Sequence, residues 1–239
     1  MPPERARRQA LLRATRAIWR ELRPGETIGR GRAVKRAISI NSARGIGPGL
    51  RFATWAQFLS LFGPPWTLGV RGGLADARVG HLRHEVQGLN NDIVLDFDVL
   101  AASDFLDGVS REWKLPSWDP HGPESKTREL LAFYSEALDR IWQSVGGYTV
   151  EGFQSLALWS MRHRMKTGVG GGDIAMACGA YIYGDRALSL ELLGEFESGW
   201  ARSVREDPRN QARHEVHAEI KIDIAKLRQI VLENRPWMH

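Results

Sequence analysis

Apolar residues recur at helical spacing near the start of the chain. They are separated by three or four positions, which places them on one face of a helix. The members of this stripe are Leu11, Ala14, Ile18 and Leu22. Another face of the same segment carries Arg13, Arg16, Arg20 and Arg23. The pattern predicts a helix over residues 4–23, which ends at residues 24–25 because Pro and Gly stop helices.

The pattern then changes to short apolar runs, which are typical of strands. Strands are predicted over residues 33–40, 66–70 and 93–100. A glycine-rich loop over residues 41–49 follows the first strand. The aromatic residues after this loop are spaced by three or four positions, which predicts a short helix over residues 52–62.

Residues 114–124 are the predicted long loop of the chain, because they contain three prolines and a glycine. Helical periodicity dominates the sequence after this loop. One predicted helix ends at residues 146–147, and Thr149 can cap the next. Residues 184–185 alone separate two later helices, which indicates an antiparallel helix pair.

The last predicted helix covers residues 209–233. Its middle, residues 216–224, also alternates between apolar and polar positions, so a strand is the alternative there. The whole segment runs for more than twenty residues without a turn signal. This length favours the helix.

These elements predict an α+β protein, in which a small N-terminal sheet flanked by helices packs against a mainly helical C-terminal half. Residues 1–113 form the predicted α/β half, which includes the basic N-terminal helix. The Pro-rich loop over 114–124 joins it to the helical half, residues 125–239. At 239 residues the chain is expected to form one compact unit.

Positive charge is concentrated at one end of the chain. Residues 1–36 contain eleven Lys or Arg residues and three Glu residues, a net charge of +8. The whole chain carries +5, so the remaining 203 residues carry −3. A basic segment on a nearly neutral body indicates an anionic partner.

Residues that could bind such a partner lie in the basic helix and the central loop. Arg13, Arg16 and Arg20 can contact phosphates or an acidic protein, although an arginine stripe can also simply face solvent. Trp113 and Trp118 lie in a loop context, where amphipathic rings are typical of protein interfaces. We therefore interpret these five residues as candidate partner-binding residues.

The glycine-rich loop offers an alternative function. A strand, the Gly45–Gly49 segment and a helix would follow the order of a dinucleotide-binding turn, in which glycines let the backbone approach a pyrophosphate. The spacing is G-x-G-x-G rather than G-x-G-x-x-G, and Pro48 removes one N–H donor. A plain loop explains these departures better.

Other reactive residue types form no complete motif. His214 and His217 stand three apart on a predicted helix, and a metal site would need further ligands from elsewhere. Asp96 and Asp98 share a face of a predicted strand, where they can pair chemically or merely face solvent. Cys178, the single cysteine, lies in an apolar helical context and excludes an internal disulfide. The sequence predicts no cofactor and no metal.

These observations favour a non-enzymatic protein-recognition module in the cytoplasm. A toxin-neutralising immunity protein is one such module, since it needs only a complementary surface. No apolar run of about 18 residues is present, so a membrane is not an expected partner. Two alternatives stay open, a nucleotide-using enzyme through Gly45–Gly49 and a nucleic-acid binder through the arginine-rich N-terminal helix.

Overall fold

The computed structural model describes residues 4–34, 37–59, 67–107, 124–164 and 174–236. Its strands are β1 (Thr27–Ile28), β2 (Arg32–Val34), β3 (Ala37–Gly47), β4 (Leu50–Leu59), β5 (Thr67–Asp76) and β6 (Ile93–Asp98). Its helices are α1 (Glu4–Leu22), α2 (Ala77–Gln87), α3 (Val99–Asp107), α4 (Glu124–Ser144), α5 (Val150–Arg162), α6 (Ile174–Ile182), α7 (Arg186–Glu206) and α8 (Gln211–Leu232). The α+β prediction is therefore confirmed.

The strands form one antiparallel sheet in the order β1-β3-β4-β5-β6, and β2 also pairs with β3. One face of this sheet is buried, and its inward residues pack with α1 and the helices of the C-terminal half. The other face is partly exposed along β3, β4 and β5. The core therefore lies between one face of the sheet and the helices.

The predicted helix over residues 52–62 is wrong as far as the described residues reach, because residues 52–59 belong to β4. Side chains along β4 alternate between the two faces of the sheet. The buried set is Phe52, Thr54, Ala56 and Phe58, and the outward set is Arg51, Ala53, Trp55 and Gln57. The three-residue spacing of Phe52, Trp55 and Phe58 led to the wrong prediction of a helix. In the strand, Trp55 points away from Phe52 and Phe58.

The predicted strand–loop–helix order around Gly45–Gly49 is also wrong. β3 continues to Gly47, and a turn at Pro48 and Gly49 leads directly into β4. Gly49 has a φ of 71°, a left-handed conformation that glycine adopts without strain. The segment is thus a β-hairpin turn, and the helix N-terminus that a pyrophosphate would need does not follow it.

Three further strand predictions need correction. The strand predicted over 66–70 continues to Asp76 as β5. The single strand predicted over 33–40 is split, because β2 and β3 are antiparallel partners on either side of residues 35–36. The strand predicted over 93–100 ends at Asp98. The Asp98 carboxylate accepts hydrogen bonds from the N–H groups of Leu100 and Ala101, which starts α3.

The helical half agrees closely with the sequence prediction. Thr149 caps α5 by accepting a hydrogen bond from the Gly152 N–H. The predicted antiparallel pair is α6 with α7, joined through Gly184 at a φ of 87° and through Asp185, which caps α7. The Ser189 hydroxyl donates to the Ala177 carbonyl and ties the pair together. Helix α8 includes residues 216–224, so the helical alternative is the observed one.

Helix α1 packs on the edge of the sheet through a face slightly rotated from the predicted stripe. Ile18 is fully buried as expected, whereas Leu11 and Leu22 are only partly buried. Leu12 and Trp19 are buried in their place. This rotation decides which arginines of α1 face solvent.

No helix within the described ranges is long and apolar enough to cross a membrane.

Candidate functional site

The arginines of α1 form a stripe along the side of the helix. Arg13 and Arg20 are exposed, and Arg16 is half-buried between them. Arg16 lies one turn after Leu12 and therefore points toward the side of α1 that contacts the sheet edge. Its Nε is buried and has no hydrogen-bond partner among the described residues.

A second source of positive charge flanks the turn that contacts α1. Arg30, between β1 and β2, and Arg32, the first residue of β2, are both exposed. Gly31, between them, has a φ of 67°, and a Cβ there would lie 2.9 Å from the Leu12 side chain. The turn at Gly31 therefore contacts α1, and Arg30 and Arg32 flank this contact. We call Arg13, Arg16, Arg20, Arg30 and Arg32 the basic patch.

The basic patch is not neutralised within the described part of the chain. None of its five arginines forms an ion pair there. Two neighbouring carboxylates are already engaged, because Glu21 pairs with Arg128 and Glu26 pairs with Arg23. The patch therefore presents several positive charges to solvent.

Arg23 does not belong to this exposed face, which corrects the sequence prediction. It is only 4% exposed. Its Nε donates to Glu26 at 2.8 Å, and its guanidinium also donates to Asp139 and to the Tyr148 hydroxyl. Arg23 comes just after the end of α1, where the chain turns inward. It joins the sheet-forming half to α4 and to the loop before α5.

Glu26 is the buried carboxylate that balances Arg23. It is 7% exposed and accepts hydrogen bonds from Arg23, the Trp19 indole at 3.2 Å and the Ser42 hydroxyl. Trp19 also donates to Ser42 at 2.9 Å. Such complete pairing is what keeps a buried charge tolerable. The arrangement anchors α1 to β3 and holds the basic patch on a fixed support.

Tyr148 closes this cluster on the solvent side. Burial raises the pKa of its phenol to about 12, against the lowering effect of the Arg23 charge. The Arg44 guanidinium lies 4.0 Å from the centre of the Tyr148 ring, a cation–π contact. The phenol is therefore neutral at physiological pH and acts as a structural hydrogen-bond partner.

A second buried carboxylate, Asp76, lies at the end of β5. It is fully buried and accepts from the Arg78 backbone at 2.8 Å, the Arg78 guanidinium at 2.7 Å and the Tyr183 hydroxyl at 3.1 Å. It also caps α2. Because all of its partners are structural, we assign Asp76 to holding α2 and α6 together rather than to chemistry.

The exposed face of the sheet contains a shallow cavity of about 270 Å³. Its floor consists of small residues in register on neighbouring strands, Ala43, Ala53 and Gly73. The Trp55 ring lies across Gly73, where a Cβ would be 2.2 Å from the ring. Thr27 lines the rim, so the cavity borders the β1–β2 segment that carries part of the basic patch.

The remaining candidate residues are not brought together. Trp113 and Trp118 lie outside the described residues. Asp96 forms an ion pair with Arg71, and Asp98 caps α3, so the two carboxylates have separate structural partners. The single cysteine, Cys178, is buried.

The two histidines of α8 also have separate environments. A ring nitrogen of His214 lies 3.0 Å from the Pro208 carbonyl, and the His217 Nε2 is buried with no hydrogen-bond partner among the described residues. The described residues contain no group of three His, Cys, Asp or Glu residues that could hold a metal ion. The chemistry that the structure does bring together is the exposed positive charge of the basic patch.

Sequence reasoning found three members of the basic patch and missed Arg30 and Arg32. No local signal groups the missed pair with α1, because the contact of Gly31 with Leu12 is tertiary. Comparison with known protein families, curated proteins and solved structures found no match to this chain.

Proposed function

We propose that the protein is a non-enzymatic recognition module that binds an acidic surface of another protein through the basic patch. The observation that carries this proposal is a set of five arginines that form no ion pair with any described residue, on α1 and on either side of the Gly31 turn that contacts it. Complementary charge steers partners together and selects among them. Arginine is also the basic residue enriched at protein interfaces.

The buried cluster below the patch supports a recognition role. Arg23 and Glu26 tie the end of α1 to β3 and α4, so the patch is presented by a rigid element. A preorganised surface loses little conformational entropy when it binds. The adjoining cavity beside Trp55 adds an apolar contact region, which a charged rim alone would lack.

A protein partner fits the charge distribution better than a long nucleic acid. Outside residues 1–36 the chain carries a net charge of −3. A duplex that extended beyond the patch would be repelled by the net negative charge of the rest of the chain. An acidic protein surface of limited area would contact the patch alone. Neutralising a toxin by covering its surface requires no reactive group, and an immunity function is the form of recognition that we propose.

The first experiment identifies what touches the patch. A photo-crosslinking amino acid replaces Ala17, which is exposed between Arg13, Arg16 and Arg20. The matched control carries the same group at Ala187, which is exposed on α7. We expect a protein to crosslink at position 17 and not at position 187. The protein that crosslinks at position 17 is then purified for binding measurements.

The second experiment tests the role of charge with that purified partner. Arg13→Glu with Arg20→Glu should weaken binding by at least about tenfold, because two attractions become repulsions. The control, Arg202→Glu with Arg209→Glu, makes the same charge change at exposed arginines far along the chain and should leave affinity unchanged. Equal affinities for both variants would refute the role of the patch.

Nucleic-acid binding is the competing outcome. Anisotropy with duplex DNA and single-stranded RNA at about 50 and 200 mM salt should show no tight binding. Tight binding that falls steeply with salt and is lost in the Arg13→Glu/Arg20→Glu variant would replace the protein partner with a nucleic acid.

A further inference from the structure

The α7–α8 hairpin is only half covered by the rest of the molecule. The buried residues of α7 lie within residues 188–193, and those of α8 lie within 224–231. The distal part of α8 is mainly exposed, and the distal part of α7 contains no buried residue. At 22 residues, α8 is about 33 Å long and offers a continuous outer face.

The outer face of α8 has a heptad pattern. Its positions alternate in spacing between three and four residues, as the a and d positions of a coiled coil do. These positions are Glu215, Ala218, Ile222, Ala225, Gln229 and Leu232, and all six are exposed. We call this set the α8 seam. The side chains that pack α8 onto the molecule, such as Ile224 and Leu227, lie on the opposite face.

The α8 seam exposes apolar side chains that the described part of the chain leaves uncovered. Ile222 is 58% exposed and Leu232 is 59% exposed, more than any other large apolar residue described. Ala218 and Ala225 lie between them and permit close approach of a second helix. A depression of about 470 Å³ follows the seam past Ala225 to Leu232.

Charges on both sides of the α8 seam indicate which helix fits it. One flank, the g positions, carries His214, Lys221 and Arg228, and the other flank, the e positions, carries Glu219, Lys226 and Glu233. In a parallel coiled coil each g residue faces the e residue five positions later in the other helix. Two copies of α8 would therefore place Arg228 opposite Glu233 and His214 opposite Glu219.

Two facing combinations are unfavourable. Lys221 faces Lys226 of the other copy, and Glu215, at the a position near the start of α8, faces its own counterpart. Lys226 already donates a hydrogen bond to the Val86 carbonyl at 3.2 Å, so its ammonium is turned toward α2. Arg228 pairs with Glu197 through one nitrogen, and a guanidinium has five N–H donors, so others stay free. An antiparallel pair would instead bring the two g flanks together, and each g flank carries the cations Lys221 and Arg228.

We propose that the α8 seam pairs with the seam of a second copy in parallel orientation, which makes the protein a twofold dimer. Gln229 lies at an a position and faces its counterpart across the twofold axis, which fixes the register as a polar a residue does. The seam and the basic patch consist of different residues. The dimer therefore presents two basic patches.

Disulfide trapping tests the orientation. Cys178 is fully buried, so an introduced exposed thiol reacts without competition from it. Ala218→Cys and Ala225→Cys should each form a covalent dimer on mild oxidation, because parallel register brings equal positions together along the whole seam. The control, Ala187→Cys on α7, should form no disulfide-linked dimer. Trapping at one of the two seam positions alone would overturn the parallel register.

Sedimentation equilibrium tests the dimer itself. At about 100 µM, well above a micromolar dissociation constant, the unmodified protein should sediment as a dimer. Ile222→Asp should give a monomer with an unchanged circular dichroism spectrum, because Ile222 is exposed in the single chain. A wild-type monomer at this concentration, or a dimer that survives Ile222→Asp, would overturn the proposal.

Discussion

Arg20 and Arg23 have different roles because one lies within α1 and the other follows its end. Arg20 lies within α1 on its solvent side, whereas Arg23 follows the helix and is buried with Glu26. A planar guanidinium can serve several acceptors at once, and here it reaches Glu26, Asp139 and Tyr148. Arg23 is therefore a fold-stabilising residue in a segment whose other arginines serve the surface.

Replacing Arg23 should test this distinction. Arg23→Met leaves the Glu26 carboxylate buried without its cation, so we expect the free energy of unfolding to fall by about 3–5 kcal/mol. Arg20→Met is the matched control on the same segment and should change it by about 0.5 kcal/mol or less. Urea denaturation measures both changes. Equal losses for the two variants would contradict the buried role of Arg23.

A double variant tests whether the unpaired Glu26 charge causes the loss of stability in Arg23→Met. Glu26→Gln combined with Arg23→Met removes both charges, so part of the lost stability should return relative to Arg23→Met alone. Trp19 and Ser42 can still donate to the glutamine oxygen. A double variant no more stable than Arg23→Met would mean that packing rather than the unpaired charge dominates.

At the scale of elements, the α6–α7 pair is where sequence pattern and packing agree best. Leu192 is fully buried in α7, and the Ser189 hydroxyl beside it bonds to α6. Leu192→Ala should therefore lower the free energy of unfolding by about 2–5 kcal/mol, through lost burial and a cavity. Leu190→Ala, at a half-buried position of the same helix, should cost less. Thermal and urea unfolding provide the comparison.

Helices were more predictable than strands for a physical reason. In α7 the four-residue spacing of Leu188 and Leu192 fits a helix and not a strand. Asp185, which caps the helix, marks where α7 begins. In β4 the inward positions include Thr54 and Ala56, whose weak hydrophobicity concealed the two-residue period. Trp55 lies on the outer face of the sheet, where its ring packs across Gly73. Counted as a core residue together with Phe52 and Phe58, it gave the three-residue spacing of a helix.

The candidate site was predictable only in its local part. Arg13, Arg16 and Arg20 share a helix, so spacing alone grouped them. Arg30 and Arg32 join them through the contact of Gly31 with Leu12, which is a tertiary contact that no local pattern encodes. The burial of Arg23 likewise depends on Asp139 and Tyr148, more than a hundred residues away.

At the scale of the whole molecule, tyrosines of the helical half contact the sheet-forming half. Tyr148 bonds to Arg23, and Tyr183 bonds to Asp76. Tyr134 is buried in α4, and burial together with the Asp98 charge raises the pKa of its phenol above the ordinary range. These contacts make the two halves depend on each other, so we expect them to unfold together.

Alkaline titration should reveal this dependence. Burial raises the pKa of each of the four tyrosines above its ordinary value of 10, to about 12 for Tyr148. A raised folded-state pKa means that the unfolded chain releases its phenolic protons first as pH rises. The stability from each phenol is therefore complete below about pH 10 and is lost as pH rises further. For Tyr148 the loss extends through about pH 12, at up to about 1.4 kcal/mol per pH unit. Absorbance at the tyrosinate band should show protonated phenols in the native protein at pH values where the urea-unfolded chain has titrated.

Tyr148→Phe should be less stable at neutral pH but lose stability less steeply above pH 10, because one of the linked protons is gone. Ordinary tyrosine titration in the native protein, or an identical alkaline slope in Tyr148→Phe, would show that these phenols do not join the two halves.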